Sequence, residues 1–419
     1  MKKRILATIV SAAMVCTMLA GCGGASATST ATTSTAASKA TTSTAASTAT
    51  TSKAASTATT SKAASTATAS SSGSGTDLLK GTEFEGVKAK SAYNFTMIVK
   101  SFQSTYWQAA IKGMDQAKAE LGVTYTAQGP NSESDIADQV NMLNSAISSK
   151  PNGIGLAACD TTSVLDSLKS AKAAGIPVVC FDTGVADAPD GSVVSTVATD
   201  NSKAGALAAD KMHELLKDKI TSATSQVRIG EVNQDATALN IQQRGLGFIN
   251  EMIKLVVADG KTIAVTGNEF YVNAAEGANG KEADANVVLE VAVPAQTTVD
   301  LCSTEASKIM SKSDTIGIFG SNQTSAEGVL SANDNLGTLN KDTGVIAIGF
   351  DAGSTIKGAI SDGTMAGAIT QSPLLMGYYS IYALTVAANG DTVKDMPMDG
   401  YWYDSTNMND AQIAPNLYD

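Results

Sequence analysis

The chain reads as an α/β protein whose folded body holds two parallel sheets, each covered by helices on both faces. Three observations predict this. From residue 93 onward, short apolar runs alternate with segments of helical periodicity. The apolar runs are continuous rather than alternating, as in strands buried on both sides. The runs are also too many for one compact doubly wound sheet, so two sheets are required.

The elements follow in order. Phe95-Thr96-Met97-Ile98-Val99 is the first strand. Residues 106–121 are helical, with Ile111, Met114, Ala117 and Leu121 near one side, and Gly122 stops them. Residues 123–127 form a second strand. A helix at 135–148 carries Ile136, Val140, Leu143 and Ile147 at helical spacing, with Asp135 in the first turn, where the dipole favours it. Residues 153–157 are a third strand, 162–174 a helix closed by Gly175, and 177–181 a fourth strand. Strand 193–197, helix 202–216, strand 227–232 and helix 238–255 continue the series. Strands at 287–293, 315–319 and 344–350 are separated by helices at 299–310 and 325–335, and strand 366–370 precedes helix 374–388. Residues 257–286 break the rhythm. They are polar and glycine-rich, with short β-like pieces at 262–266 and 270–272, and read as a surface insertion.

The N-terminus is of another kind. Lys2-Lys3-Arg4 precedes an apolar stretch at 5–18, too short for a standard membrane span and right for a signal peptide. It ends in Leu19-Ala20-Gly21-Cys22, which resembles the bacterial lipobox, so residues 1–22 read as a lipoprotein signal and Cys22 as the lipidated anchor. A nine-residue Ser/Thr/Ala motif then recurs at 41–49, 50–58 and 59–67. It has no large apolar face to bury, and residues 23–76 read as a disordered tether. As a random coil of 54 residues it would reach roughly 40 Å. Such a tether suits a Gram-positive wall.

Composition excludes several functions. Of 29 basic and 40 acidic residues, residues 1–76 hold six basic and no acidic ones, which leaves the body at −17. So acidic a body is a poor partner for nucleic acid or an anionic membrane, and membrane attachment is left to the lipid alone. One His and scattered Cys argue against zinc and haem, and three Arg cannot build a phosphate-gripping cluster. No cofactor is called for. His213, in a helix beside Lys211 and Glu214, reads as a solvated surface residue rather than a catalytic one, so no nucleophile–base pair forms and the chain reads as no enzyme. Gly153-x-Gly155-x-x-Ala158 begins inside a strand and opens no helix, unlike a dinucleotide fingerprint. Cys159 and Cys180 end neighbouring strands and could pair or stand as two buried thiols. Arg244 could grip a ligand carboxylate or serve a structural role.

In open parallel sheets, ligands sit beyond the carboxyl ends of the strands. Those ends here read Lys100-Ser101-Phe102, Cys159-Asp160-Thr161, Asp182-Thr183, Thr199-Asp200-Asn201, Asn233-Gln234-Asp235, Ser321-Asn322-Gln323, Asp351 and Gln371, with Tyr106 and Trp107 near the first. Acids and amides beside aromatics compose a site for a neutral polyhydroxylated ligand: they bond hydroxyls while an aromatic face covers the C–H side of a ring.

These features together resemble a sugar ABC importer's type I solute-binding protein, of the ribose- and galactose-binding class. The segments that carry the resemblance are Ser104–Gln108 with Lys112-Gly113, Asp138-Gln139, Gly175–Val179 with Phe181-Asp182, Thr199-Asp200-Asn201 with Gly205, Arg244–Phe248, Ser321-Asn322, Gly349-Phe350-Asp351 and Thr370–Pro373. The resemblance implies the type I periplasmic binding fold, two Rossmann-like lobes joined by a three-strand hinge. Lobe one would hold 91–199 and 372–398, and lobe two 200–371 and 399–419. It implies Tyr106 and Trp107 stacked on the ligand, Asp182, Asn322, Asp351 and Gln371 bonding it, Phe350 lining the pocket, and Thr199 and Gln242 beside it. Thr183 and Gln242 stand where ribose-like members carry Arg, and Ala157 where they carry Asn, so the class is implied and ribose is not. The implied function is capture of a sugar by a monomer that delivers it to an ABC permease and ATPase. The alternative is a sugar-sensing lipoprotein that feeds a sensor kinase.

Overall fold

The computed structural model describes residues 78–419. The signal stretch, Cys22 and the Ser/Thr/Ala tether lie outside the described residues. Two sheets organise the chain. The first has the order β12-β5-β4-β3-β1-β2 and is parallel throughout. Its strands are β1 (Asn94–Ile98), β2 (Thr124–Gln128), β3 (Gly153–Leu156), β4 (Val178–Phe181), β5 (Ser195–Thr199) and β12 (Met396–Met398). The second has the order β13-β11-β10-β9-β6-β8-β7, parallel except where β13 meets β11. Its strands are β6 (Val227–Val232), β7 (Ile263–Gly267), β8 (Val287–Ala292), β9 (Thr315–Gly320), β10 (Ile346–Phe350), β11 (Gly367–Thr370) and β13 (Tyr401–Tyr403). The chain leaves the first sheet after β5, returns after β11, and crosses again between β12 and β13. Each sheet with its helices forms one lobe.

Burial on both faces explains the continuous apolar strands. In lobe one, Phe95, Met97 and Val99 pack under helices Thr105–Leu121 and Pro373–Ala388, while Ile98, Leu156 and Ile154 pack against helices Ile136–Ser149 and Leu165–Ala173. Glycines let helices cross closely. A methyl at Gly113 would overlap Leu374 O, and one at Gly377 would overlap Ala110 O. Lobe two repeats the device between helices Asn201–Thr221 and Leu239–Ala258, where Gly205 abuts Arg244 O and Gly247 abuts Ser202 O.

Three expectations change. Residues 257–286 are no mere insertion, because β7 is the edge strand of the second sheet, with Ile263 opposite Val287 and buried. Phe270–Val272 is helical rather than extended: it lies in Glu269–Ala274, whose cap Asn268 accepts from Phe270 N. The folded body also begins before residue 91. Phe84 is fully buried between Tyr379 and Tyr382, at centroid distances of 5.7 and 5.9 Å, and Tyr379 Oη donates to Leu78 O at 2.7 Å.

Candidate functional site

The strand ends of the two lobes face each other, and two aspartates stand there in matched fashion. Asp182 follows the end of β4 with φ 60°, and Asp351 follows the end of β10 with φ 75°. Each comes directly after a buried Phe, Phe181 or Phe350. Each donates its backbone N–H to the next strand, Asp182 to Val197 O at 2.9 Å and Asp351 to Ile369 O at 2.6 Å. Left-handed backbone is disfavoured for any residue but glycine, and Asp is among the few that tolerate it. Both side chains line a cavity between the lobes.

Lobe one supplies Lys100, Tyr106, Trp107, Glu133 and Asp182 to this cavity. Lys100 is fully buried, its Nζ 2.9 Å from Asn240 Oδ1, to which it donates, and 3.6 Å from Asp182 Oδ2. Burial pulls the Lys100 ammonium down, but Asp182, Glu133 and Asp235 outweigh burial and hold it above the usual lysine value. It therefore stays charged. Tyr106 Oη donates to Asp182 Oδ1 at 2.6 Å. Burial first, then the Asp182 carboxylate, pushes that phenol well above its ordinary range, so it acts as a neutral donor. Trp107 Nε1 donates to Glu133 Oε1 at 3.1 Å, and burial raises the Glu133 carboxyl against the opposing pull of Lys100.

Lobe two supplies Gln234, Asn240, Arg244, Asn322, Gln323 and Asp351. Gln371, at the crossing after β11, completes the wall. Gln371 Nε2 donates to Asp351 Oδ1 at 2.6 Å, and Gln323 N donates to Asp351 Oδ2 at 3.0 Å. Burial raises the Asp351 carboxyl, and Arg244 and these bonds offset it in part. Asn322 is a helix cap as much as a wall residue. Its Oδ1 accepts from Ser325 N at 3.2 Å in a reciprocal capping box, and its Nδ2 donates to Gln234 Oε1. The lobes meet around the site, as Gln234 Nε2 donates to Glu133 Oε2 at 2.7 Å and Thr297 N to Ser134 Oγ at 2.8 Å.

Of the residues expected from sequence, Tyr106, Trp107, Asp182, Asn322, Asp351 and Gln371 come together here. Three do not line the cavity. Phe350 lies beneath Arg244, whose guanidinium carbon is 3.6 Å from its ring centroid. Thr199 Oγ1 donates to Gln371 Oε1 at 2.7 Å and so positions Gln371 from behind. Gln242 turns away, its Nε2 donating to Ala236 O at 2.8 Å. Asn240, two residues earlier on that helix, reaches the cavity instead, its Nδ2 donating to Asp182 Oδ2 at 3.2 Å. Arg244 is both wall and strut: Nη2 and Nε donate to Asn201 Oδ1 at 2.8 and 3.2 Å, and Nη1 to Ser321 O at 2.7 Å. Lys100 and Gln234 could have been found from their strand-end positions, whereas Glu133 sits in a loop that carries no such signal.

His213 is buried rather than solvated, with Nε2 2.7 Å from Asp259 Oδ2, because Asp259 at the end of helix Leu239–Ala258 covers it. Cys159, Cys180 and Cys302 are free and buried, and burial pushes the Cys180 thiol up to about 12.

The cavity retains capacity of both kinds for a ligand. Lys100 makes one of three possible donations, and Arg244 three of five. Asp351 and Glu133 each accept two bonds where a carboxylate accommodates about four.

Comparison with known proteins agrees with this arrangement. The ribose import binding protein of Bacillus subtilis is 23% identical over 310 residues, covering 73% of this chain and 85% of that protein. A structure from Brachyspira murdochii, described as an ABC transporter and LacI-family transcriptional regulator, is 29% identical with a TM-score of 0.63, covering 78% of this chain and 99% of that one. An ABC transporter solute-binding protein from Agrobacterium vitis with bound D-fucose is 26% identical with a TM-score of 0.64, covering 78% and 100%. The periplasmic binding protein domain matches residues 95–392, the greater part of the folded body with its cavity, and the chain belongs to that family of solute-binding proteins.

Proposed function

We propose that the protein captures a monosaccharide or similar neutral polyol in the cleft between its lobes and delivers it to an ABC importer. One observation carries this reading. The cavity wall combines dry cations with unengaged N–H groups and dry carboxylates with unengaged lone pairs, and a hydroxyl, which donates and accepts, answers both. A simple anion would meet three carboxylates, and a simple cation would meet Lys100 and Arg244. The relatives that import ribose and hold D-fucose support the same class. Asp182, Asp351, Gln371, Asn322, Tyr106 and Trp107 contact the ligand, joined by Lys100 and Asn240. The protein acts as a monomer, held at the outer face of a Gram-positive cell membrane by lipid on Cys22. Among the described residues no helix is long and apolar enough to cross a membrane.

A thermal-shift screen of pentoses, hexoses, cyclitols and nucleosides, with amino acids and inorganic ions alongside, tests the ligand class, since ligand at a hundred times Kd stabilises by about 2.7 kcal/mol. A response confined to amino acids or inorganic ions would refute it. Fatty-acid labelling of the Cys22→Ala protein tests the anchor, and label that persists would count against it.

A further inference from the structure

Toward its mouth the cleft continues, past Ser104, Gln323 and Thr324, into a second cavity of about 330 Å³. Ser104 and Thr105 of lobe one face Thr298, Gln323, Glu327 and Ser354 of lobe two across it. Two helix starts open on this space with no side-chain cap: that of Thr105–Leu121 behind Ser104, and that of Ser354–Asp362 behind Gly353. First-turn N–H groups have no partner within their own helix, so both starts present donors.

Gln323 presents the opposite need. Its side chain is 6% exposed, and its Nε2 donates to Thr105 Oγ1 at 3.2 Å and Glu327 Oε1 at 2.9 Å. Its Oε1 is buried and has no partner in the chain. Gln323 lines the inner cavity as well as the mouth, so a ligand that extends from one to the other passes it.

An anion would satisfy the helix starts. It would leave Gln323 Oε1 without a donor and would lie beside the Glu327 carboxyl. A hydroxyl satisfies donors and acceptors alike. We propose that the mouth cavity is a second subsite for a further hydroxyl-bearing unit, so that the ligand is a glycoside or disaccharide whose first ring occupies the inner cavity. This rests on the sugar-binding reading of that inner cavity.

Calorimetry on the full chain tests it with D-galactose against lactose, D-glucose against maltose and cellobiose, and D-galacturonate and glucose 1-phosphate as anionic probes. At least one disaccharide should bind about tenfold or more tightly than its component monosaccharide. In Thr355→Val, which removes one mouth hydroxyl from an exposed position outside the inner cavity, that ratio should fall to about threefold or less, while monosaccharide affinity changes by less than about threefold. Gln323→Met should lower the ratio in the same direction. Monosaccharides that bind as well as every disaccharide would overturn the subsite and leave the sugar reading standing. Tighter binding of either anionic probe than of the neutral sugars would overturn the hydroxyl assignment. A panel in which nothing binds would overturn both.

Discussion

Glu231→Gln should stabilise the folded protein at neutral pH and leave it unchanged near the ordinary carboxylate pKa. Glu231 lies in β6 and is fully buried. Its Oε1 accepts from Asn233 Nδ2 at 2.9 Å, and its Oε2 has no partner in the chain. The helix Leu239–Ala258 covers it closely, since a methyl on Gly245 would stand 2.9 Å from Oε1. Burial therefore raises the carboxyl well above its usual range, and the single Asn233 bond opposes this only in part. The sign follows from linkage. Below the unfolded pKa, about 4.3, both states carry the proton and the group takes nothing from stability. As pH rises, the unfolded chain releases the proton while the folded chain must hold it or bury a charge, so stability is lost toward neutrality. Glutamine keeps the shape and is neutral throughout, so at pH 7.5 it escapes the cost of holding a proton or burying a charge and should recover about 1–3 kcal/mol, on the scale of about 1.4 kcal/mol per pK unit. Over the 342 described residues, with about 2.1 cal/mol/K of unfolding entropy each, that is a rise in Tm of about 1–4 °C. Thermal unfolding of both proteins at about pH 4 and pH 7.5 measures it. A variant destabilised equally at both values would refute the argument, because it would mean that Glu231 contributes a bond in which its protonation plays no part.

Asp351→Asn keeps the left-handed backbone and one acceptor but removes the charge. With a sugar found by the screen it should weaken binding by about 10- to 150-fold, the worth of a charge-assisted bond at about 1.5–3 kcal/mol. Asp160→Ala should leave calorimetric affinity unchanged, since Asp160 Oδ1 only caps Thr162 and Ser163 at 2.9 and 2.6 Å. Phe84→Ala should lower stability by about 3–5 kcal/mol in urea denaturation while sparing ligand affinity, because Phe84 fills the tyrosine cluster on the outer helix of lobe one. Gly377→Ala should destabilise by about 1–3 kcal/mol or more in the same assay, as its methyl would press on the Ala110 carbonyl.

The sequence revealed more of the fold than of the site, and the residues show why. A strand buried on both faces must be apolar along its length, so β3, β4 and β10 announce themselves, and β5 is displaced by only two residues from the run at 193–197. Where an element is half exposed, local chemistry decides: Phe270–Val272 has β-forming residues, yet the Asn268 cap turns it into a helix. Strand-end position and sheet direction bring Asp182, Asp351 and Gln371 to one cavity. Strand-end position could not separate a cavity residue from one that also caps its own helix. Asn322 and Asp351 end neighbouring strands, yet Asn322 Oδ1 is taken up by Ser325 while Asp351 is held by Gln371 from the hinge. Gln242 and Asn240 differ by two residues on one helix, about 200° around its axis, so only one of them can reach the cavity. Lys100 is the sharpest case. Its strand-end position points toward the site, but only the approach of Asn240 from the second lobe and of Asp182 after β4 makes a dry, charged lysine tenable. Its position is legible in the sequence, whereas its burial and its partners belong to the paired lobes, which no local stretch of sequence contains.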